Sequence, residues 1–141
     1  MKNVITYVIA CCFLISCAEK LEKKIVSTYP NGTPMLINYL KVINGKKVIA
    51  KETRFFPNGE KSSEGEWTSD SKKTGIWKQW FPNGKKWIEE SYKDGKKDGE
   101  SSVWVDNGNK LYEGEFKEDK PTGTWKYYDE NGKITKKELL K

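Results

Sequence analysis

Two coupled glycine series, each returning with an almost constant period, constrain this chain more than any other feature of its sequence. Asn-Gly pairs stand at Asn31-Gly32, Asn58-Gly59, Asn83-Gly84, Asn107-Gly108 and Asn131-Gly132, and their glycine positions rise by 27, 25, 24 and 24. Gly75, Gly99 and Gly123 form the second series, and each precedes the next Asn-Gly glycine by nine residues. A fixed period of this length marks a repeat array, in which one small unit is copied along the chain and stacks on its neighbours.

The aligned columns define the unit. Eight residues after each Asn-Gly glycine stands a large apolar side chain: Leu40, Trp67, Tyr92, Phe116 and Leu140. Five residues after it, the three central copies carry Glu64, Glu89 and Glu113. Five residues after the second glycine is a ring, Trp80, Trp104 or Tyr128, with Trp77 and Trp125 three positions earlier in two copies. These columns are β-formers. Asn-Gly pairs suit the positive φ angles of a tight type I′ turn, so each unit is predicted to be strand, turn, strand. The polar segments 70–74, 93–98 and 117–122 are predicted as turns. The expected fold is all-β, an elongated antiparallel sheet of stacked hairpins.

Residues two apart share a strand face, so Trp125 and Tyr127 point one way while Lys126 and Tyr128 point the other. Rings are therefore expected on both faces. The Trp67, Tyr92 and Phe116 column reads as the packed core. Trp80, Trp104 and Tyr128, together with Trp87, are the candidate partner-binding residues; the Trp80, Trp104 and Tyr128 column reads first as structural, and Trp87, out of register beside Ile88, is the best single candidate for an exposed anchor.

Tyr112-Glu113-Gly114-Glu115-Phe116, followed by Gly123, Trp125 and Tyr128, resembles the MORN repeat, and Glu64-Gly65-Glu66-Trp67 with Gly75 echoes it. The step from one glycine to the next is similar to that of the bacterial variant of the repeat, and the resemblance runs over positions 29 to 137. Some positions depart from the pattern: Glu90 stands where Gly65 and Gly114 stand, Ser63 and Ile88 replace the tyrosine, and the first copy is barely legible. The resemblance implies an extended sheet of MORN-like hairpins and a role in binding a partner protein, including antitoxin-like roles.

The amino terminus is different in kind. In residues 1–16 a lysine, Lys2, precedes an apolar run from Val4 to Ile15, the pattern of an export signal. The run is too short to span a bilayer as a helix, which takes about 20 residues. Leu14-Ile15-Ser16-Cys17 resembles the bacterial lipobox, which implies cleavage before Cys17 and acylation of its sulfur. The expected organisation is a signal over 1–16, a polar tether over 17–23 and the array over 24–141. Two or more acyl chains hold a protein on a bilayer durably, so the expected location is the cell envelope. Ala18, rather than Asp, beside Cys17 favours the outer membrane or periplasmic face over the inner membrane. Cys11 and Cys12 lie in the signal, so no cysteine is left for a disulfide, and the fold is expected to be held by packing alone.

Charge and composition narrow the chemistry. The formal net charge is +6, one unit of it from Lys2, with lysines spread along the expected turns. This charge reads first as ordinary solubility, with lysine and glutamate interspersed; for an exported chain the anionic partners on offer are lipid or glycan, and not nucleic acid. An antitoxin- or immunity-like inhibitor and a structural envelope protein are the alternative readings. The sequence has no histidine, which removes the commonest acid/base group and metal ligand. The Glu64, Glu89 and Glu113 column recurs in equivalent sites, whereas a catalytic carboxylate pair needs unlike environments; these glutamates read as partners for neighbouring lysines. Neither an enzyme nor a cofactor is expected. The last strand, from Ile134 to Leu140, is expected at a sheet edge guarded by Lys136, Lys137 and Lys141.

Overall fold

The computed structural model describes residues 21–140. The predicted signal, Cys17 and the start of the tether lie outside the described residues. Every regular element within them is a strand: β1 (Glu22–Thr28), β2 (Pro34–Ile43), β3 (Lys46–Phe55), β4 (Lys61–Trp67), β5 (Lys73–Trp80), β6 (Lys86–Lys93), β7 (Lys96–Trp104), β8 (Lys110–Lys117), β9 (Lys120–Tyr128) and β10 (Ile134–Leu140). All ten pair in one open antiparallel sheet whose spatial order is their order in sequence. Glu22 and Lys23, expected in the tether, belong to β1. β1 and β10 form the two edges.

The five repeating Asn-Gly pairs do close hairpins, but not as type I′ turns. In each, the glycine N–H donates to the carbonyl three residues back, as Gly59 does to Phe56 at 2.9 Å, and the pair Phe56 and Glu60 closes a three-residue loop at 2.8 Å. The glycines adopt positive φ, +87° at Gly59, while none of the five asparagines does. This is a type I turn followed by a left-handed residue. Pro30, Pro57 and Pro82 occupy its first central position, where the φ that a proline ring imposes is the one the turn needs. The asparagines serve another purpose. Oδ1 of Asn31, Asn58, Asn83 and Asn107 accepts from the backbone N–H two residues on. Nδ2 of Asn31, Asn58 and Asn83 donates to the carbonyl of Pro57, Pro82 and Asp106 in the next turn along, at 2.9, 2.9 and 3.0 Å. A ladder of side-chain amides thus ties successive turns along one end of the sheet, and Asn109 continues it to Glu130.

Turns at the opposite end are shorter than predicted. Asn44-Gly45, Asp94-Gly95 and Glu118-Asp119 are two-residue connections with positive φ at both positions, the true type I′ geometry. The second glycine series lies beyond them, inside β5, β7 and β9. There the ladder skips: Glu64 pairs with Lys78 but Glu66 with Thr74, Glu90 with Ser101 but Tyr92 with Lys97, and Glu113 with Lys126 but Glu115 with Thr122. Gly75, Gly99 and Gly123 are residues of these bulges, which bend a strand and re-aim its side chains.

One turn at this end keeps a three-residue loop, closed by Thr68 and Lys72, with Ser71 at φ +61° in the seat that glycine takes elsewhere. Left-handed backbone costs a residue with a Cβ about 1–2 kcal/mol. Ser71→Gly is therefore expected to stabilise the protein by about 0.5–1 kcal/mol, after the extra unfolded-state freedom of glycine is subtracted. A urea midpoint that fell on this substitution would show the loop to be unstrained.

The rings of one face form the core. Trp77 is packed edge-on against Trp67 at 5.0 Å and beside Tyr92 at 6.3 Å. Trp125 meets Phe116 at 5.2 Å and Tyr112 at 5.8 Å. The predicted Trp67, Tyr92 and Phe116 column is therefore in the core, but Trp77 and Trp125 are its buried centres. Each lies flat over a glycine of the preceding strand: a Cβ on Gly65 would sit 2.1 Å from Cδ2 of Trp77, and one on Gly114 2.3 Å from Cδ2 of Trp125. The copy between them inverts the sizes. Ser101 replaces the tryptophan, and Glu90 faces it where the glycine would be. Glu90 then accepts from the Tyr92 hydroxyl and from Lys97, whose ammonium also lies 4.9 Å from the Phe116 ring centre, joining the two aromatic clusters.

Candidate binding surface

The opposite face is built from a charge ladder and a row of rings. Along its middle, register places Thr53, Glu64, Lys78, Glu89, Ser102, Glu113 and Lys126 side by side across seven strands. Toward the Asn-Gly end lie Lys61, Lys86 and Lys110, each paired with the glutamate three residues on. An odd spacing should put two residues on opposite faces of a strand. Each pair instead straddles a one-residue bulge, at Ser62, Trp87 and Leu111, which restores the phase.

The rings sit among these lysines. The ammonium of Lys61 is 5.8 Å from the Trp80 ring centre, and those of Lys86 and Lys110 are 4.9 and 5.3 Å from that of Trp104. Cations at this range are attracted to the ring quadrupole by about 0.5–1 kcal/mol where exposed. The Tyr128 hydroxyl donates to Oε1 of Glu113 at 2.7 Å. Trp104, Lys110, Glu113, Lys126 and Glu89 border a shallow open trough of about 320 Å³.

Hydrogen bonds favour the charged form of Glu113 and Glu64. Donation from Lys110, Lys126 and Tyr128 holds the Glu113 carboxyl down at about 2, against an ordinary value of 4.5. The same bond raises the Tyr128 hydroxyl. Burial alone would raise Glu64, but its bonds from Lys61 and Lys51 outweigh it and leave the carboxyl lowered. A depressed folded-state pKa stabilises the fold fully above the ordinary value, and that contribution disappears as pH falls through the depressed one. Glu113→Gln is therefore expected to lower the urea midpoint at pH 7, with the gap to wild type closing between about 4.5 and 2. A gap that stayed constant over that window would mean the ion pairs do not support the fold.

Two of the hairpins closed by Asn-Gly turns, those that carry Trp77 and Trp125, are similar to a known repeat. Residues 73–94 and 121–141 match the MORN repeat variant model. No curated protein matches the chain. Both matched MORN segments are strand, Asn-Gly turn, strand: β5 with β6, and β9 with β10. The hairpin between them, β7 with β8, carries Ser101 in place of Trp77 and Trp125.

Three of the four candidate residues come together on this face, Trp80 and Tyr128 from the matched segments and Trp104 from the unmatched hairpin between them. Trp80, Trp104 and Tyr128 line one face, half-buried, and make no ring–ring pair among the described residues. Trp87 does not join them. It is the extra residue of its bulge, 41% exposed and leaning on Phe81 with ring centres 5.5 Å apart. The sequence reading paired the glutamates of this face with neighbouring lysines but did not single out which, although Lys61, Lys86 and Lys110 each stand two residues after an Asn-Gly glycine. That column was as regular as the glutamates.

Proposed function

We propose that this chain is a non-catalytic, lipid-anchored protein of the cell envelope that presents its repeat sheet to a partner protein. Supporting the binding role is a division of labour between the faces. Trp77 and Trp125 organise one face as core, while the lysine, ring and glutamate set recurs on the other without packing the rings on each other. Half-buried aromatic rings rimmed by charge are what protein interfaces select. A carboxyl held at about 2, such as Glu113, is a poor proton donor near neutral pH, which favours recognition over acid catalysis. The anchor reading rests on the lipobox-like stretch ending at Cys17.

The test is a pull-down from membranes of the native host with the acylated protein as bait, alongside a Trp80→Ala/Trp104→Ala variant. A stoichiometric protein recovered by wild type and lost with the variant supports this face as the interface. If that partner is a toxin, the inhibitor reading replaces a general scaffold. Recovery of lipid or glycan alone sinks the protein-binding reading in favour of an envelope-structural one.

A further inference from the structure

At the end of the sheet opposite the Asn-Gly turns, the β2–β3 hairpin continues past its last rungs to both neighbouring strands. Its pairs Lys41 with Val48, Val42 with Lys47 and Ile43 with Lys46 lie beyond the last rung to β1, at Glu22 and Leu40, and the last rung to β4, at Lys51 and Glu66. At roughly 3.3 Å per residue, three pairs carry the tip about 10 Å past its last rung to β1. The other type I′ turns at this end are tied down: Gly95 donates to the carbonyl of Lys73, and Asp119 to that of Lys97.

The tip combines apolar exposure with unmixed charge. Val42 in the tip is 59% exposed, and at its base Ile49, level with Leu40, is 37% and Leu21 36% exposed. Residues 41–50 hold three lysines and no acidic residue, in a chain with 20 of them. Glu22 reaches across to Lys47 at 2.6 Å, which leaves Lys41 and Lys46 at the tip without an ion-pair partner among the described residues. Apolar side chains ringed by lysine fit a boundary between anionic headgroups and acyl chains.

Chain length brings the tip to such a boundary. Four peptide steps separate Cys17 from Leu21, and even fully extended they reach only about 14 Å. Leu21 lines the same surface hollow as Lys41. With acylated Cys17 in a bilayer, Leu21 at the base of the tip is therefore held within about 14 Å of the headgroups, and so short a tether makes the second contact intramolecular.

We propose that the β2–β3 tip is a second point of contact with the bilayer that carries Cys17, its apolar residues seated at the acyl boundary and Lys41 and Lys46 on anionic headgroups. This rests on the lipid anchor proposed above. It fixes how the sheet stands: the Asn-Gly end points away from the membrane, and both faces stay open to a partner.

The mature lipoprotein has no free thiol if Cys17 is acylated, so a single introduced cysteine can carry an environment-sensitive fluorophore. Val42→Cys and, as a control at the far end, Glu130→Cys are labelled in the full lipidated protein and reconstituted into vesicles of phosphatidylcholine with phosphatidylglycerol. The label at 42 is expected to emit to the blue of that at 130 and to be quenched roughly threefold more by nitroxide-bearing lipid. That difference is expected to shrink when Lys41→Glu and Lys46→Glu are added, because each lysine contributes to headgroup attraction. Equal emission and quenching at both positions in protein that floats with the vesicles overturns the tip contact and leaves the anchor standing. A mature chain whose mass lacks the lipid at Cys17 overturns both.

Discussion

Gly114→Ala is expected to destabilise the protein by about 1–3 kcal/mol, the range for forcing an extra methyl into a filled site. Its Cβ would lie 2.3 Å from the Trp125 ring, inside any real contact, and Gly65→Ala meets Trp77 at 2.1 Å. The chain already holds the solution to this clash. In the middle copy Ser101 faces Glu90, so a side chain is tolerated on one strand when the tryptophan is absent from the next. In a double-mutant cycle of Gly114→Ala with Trp125→Ser, followed by urea unfolding, the two changes are expected to be less costly together than the sum of their separate effects. Coupling of about 1–3 kcal/mol is what contacting residues give. Strict additivity would show that glycine is present there for backbone reasons and not to seat the ring.

That large-and-small exchange also shows where the sequence was legible and where it was not. Period and strand content could be read because identical units must place their glycines and rings at identical steps, and the stacked antiparallel sheet follows from that. The turn chemistry misled because Asn-Gly has two uses. Pro30, Pro57 and Pro82, one residue ahead of the asparagine, carried the correction, since a proline ring imposes the φ that opens a type I turn. The asparagine ladder could not be read at all: its acceptors are backbone carbonyls 23 to 26 residues away. Bulges stayed hidden for a similar reason, because a glycine at positive φ looks the same in a bulge as in a loop. The other bulges, at Ser62, Trp87 and Leu111, did leave a trace in the odd spacing of Lys61 and Glu64, Lys86 and Glu89, Lys110 and Glu113. The same bulge explains Trp87, whose exposure comes from being an inserted residue and not from membership of the ring row.

Trp77→Ala and Trp104→Ala are expected to separate the two faces by the size and place of their effects. Trp77 is 8% exposed, donates its indole N–H to the Glu66 carbonyl, and lies between Trp67 and Tyr92 with the Lys73 ammonium 4.3 Å from its ring centre. Truncation there should cost about 3–5 kcal/mol, as for buried tryptophans generally. Strands in this sheet pair only with the strands next to them in sequence, and arrays of that kind lose stability locally before they lose it globally. Amide exchange should therefore rise first in β4 to β6, while β8 to β10, held by Tyr112, Phe116 and Trp125, stay protected. Trp104 is half-buried and its ring meets the ammonium groups of Lys86 and Lys110, so its loss should cost no more than about 1–2 kcal/mol. Partner capture should fall sharply with Trp104→Ala while the exchange pattern stays that of wild type. If Trp104→Ala instead unfolded β6 to β8 as Trp77→Ala unfolds β4 to β6, the ring row would be a second core. The partner would then have to be sought along the lysine-bearing turns or the exposed ring of Trp87.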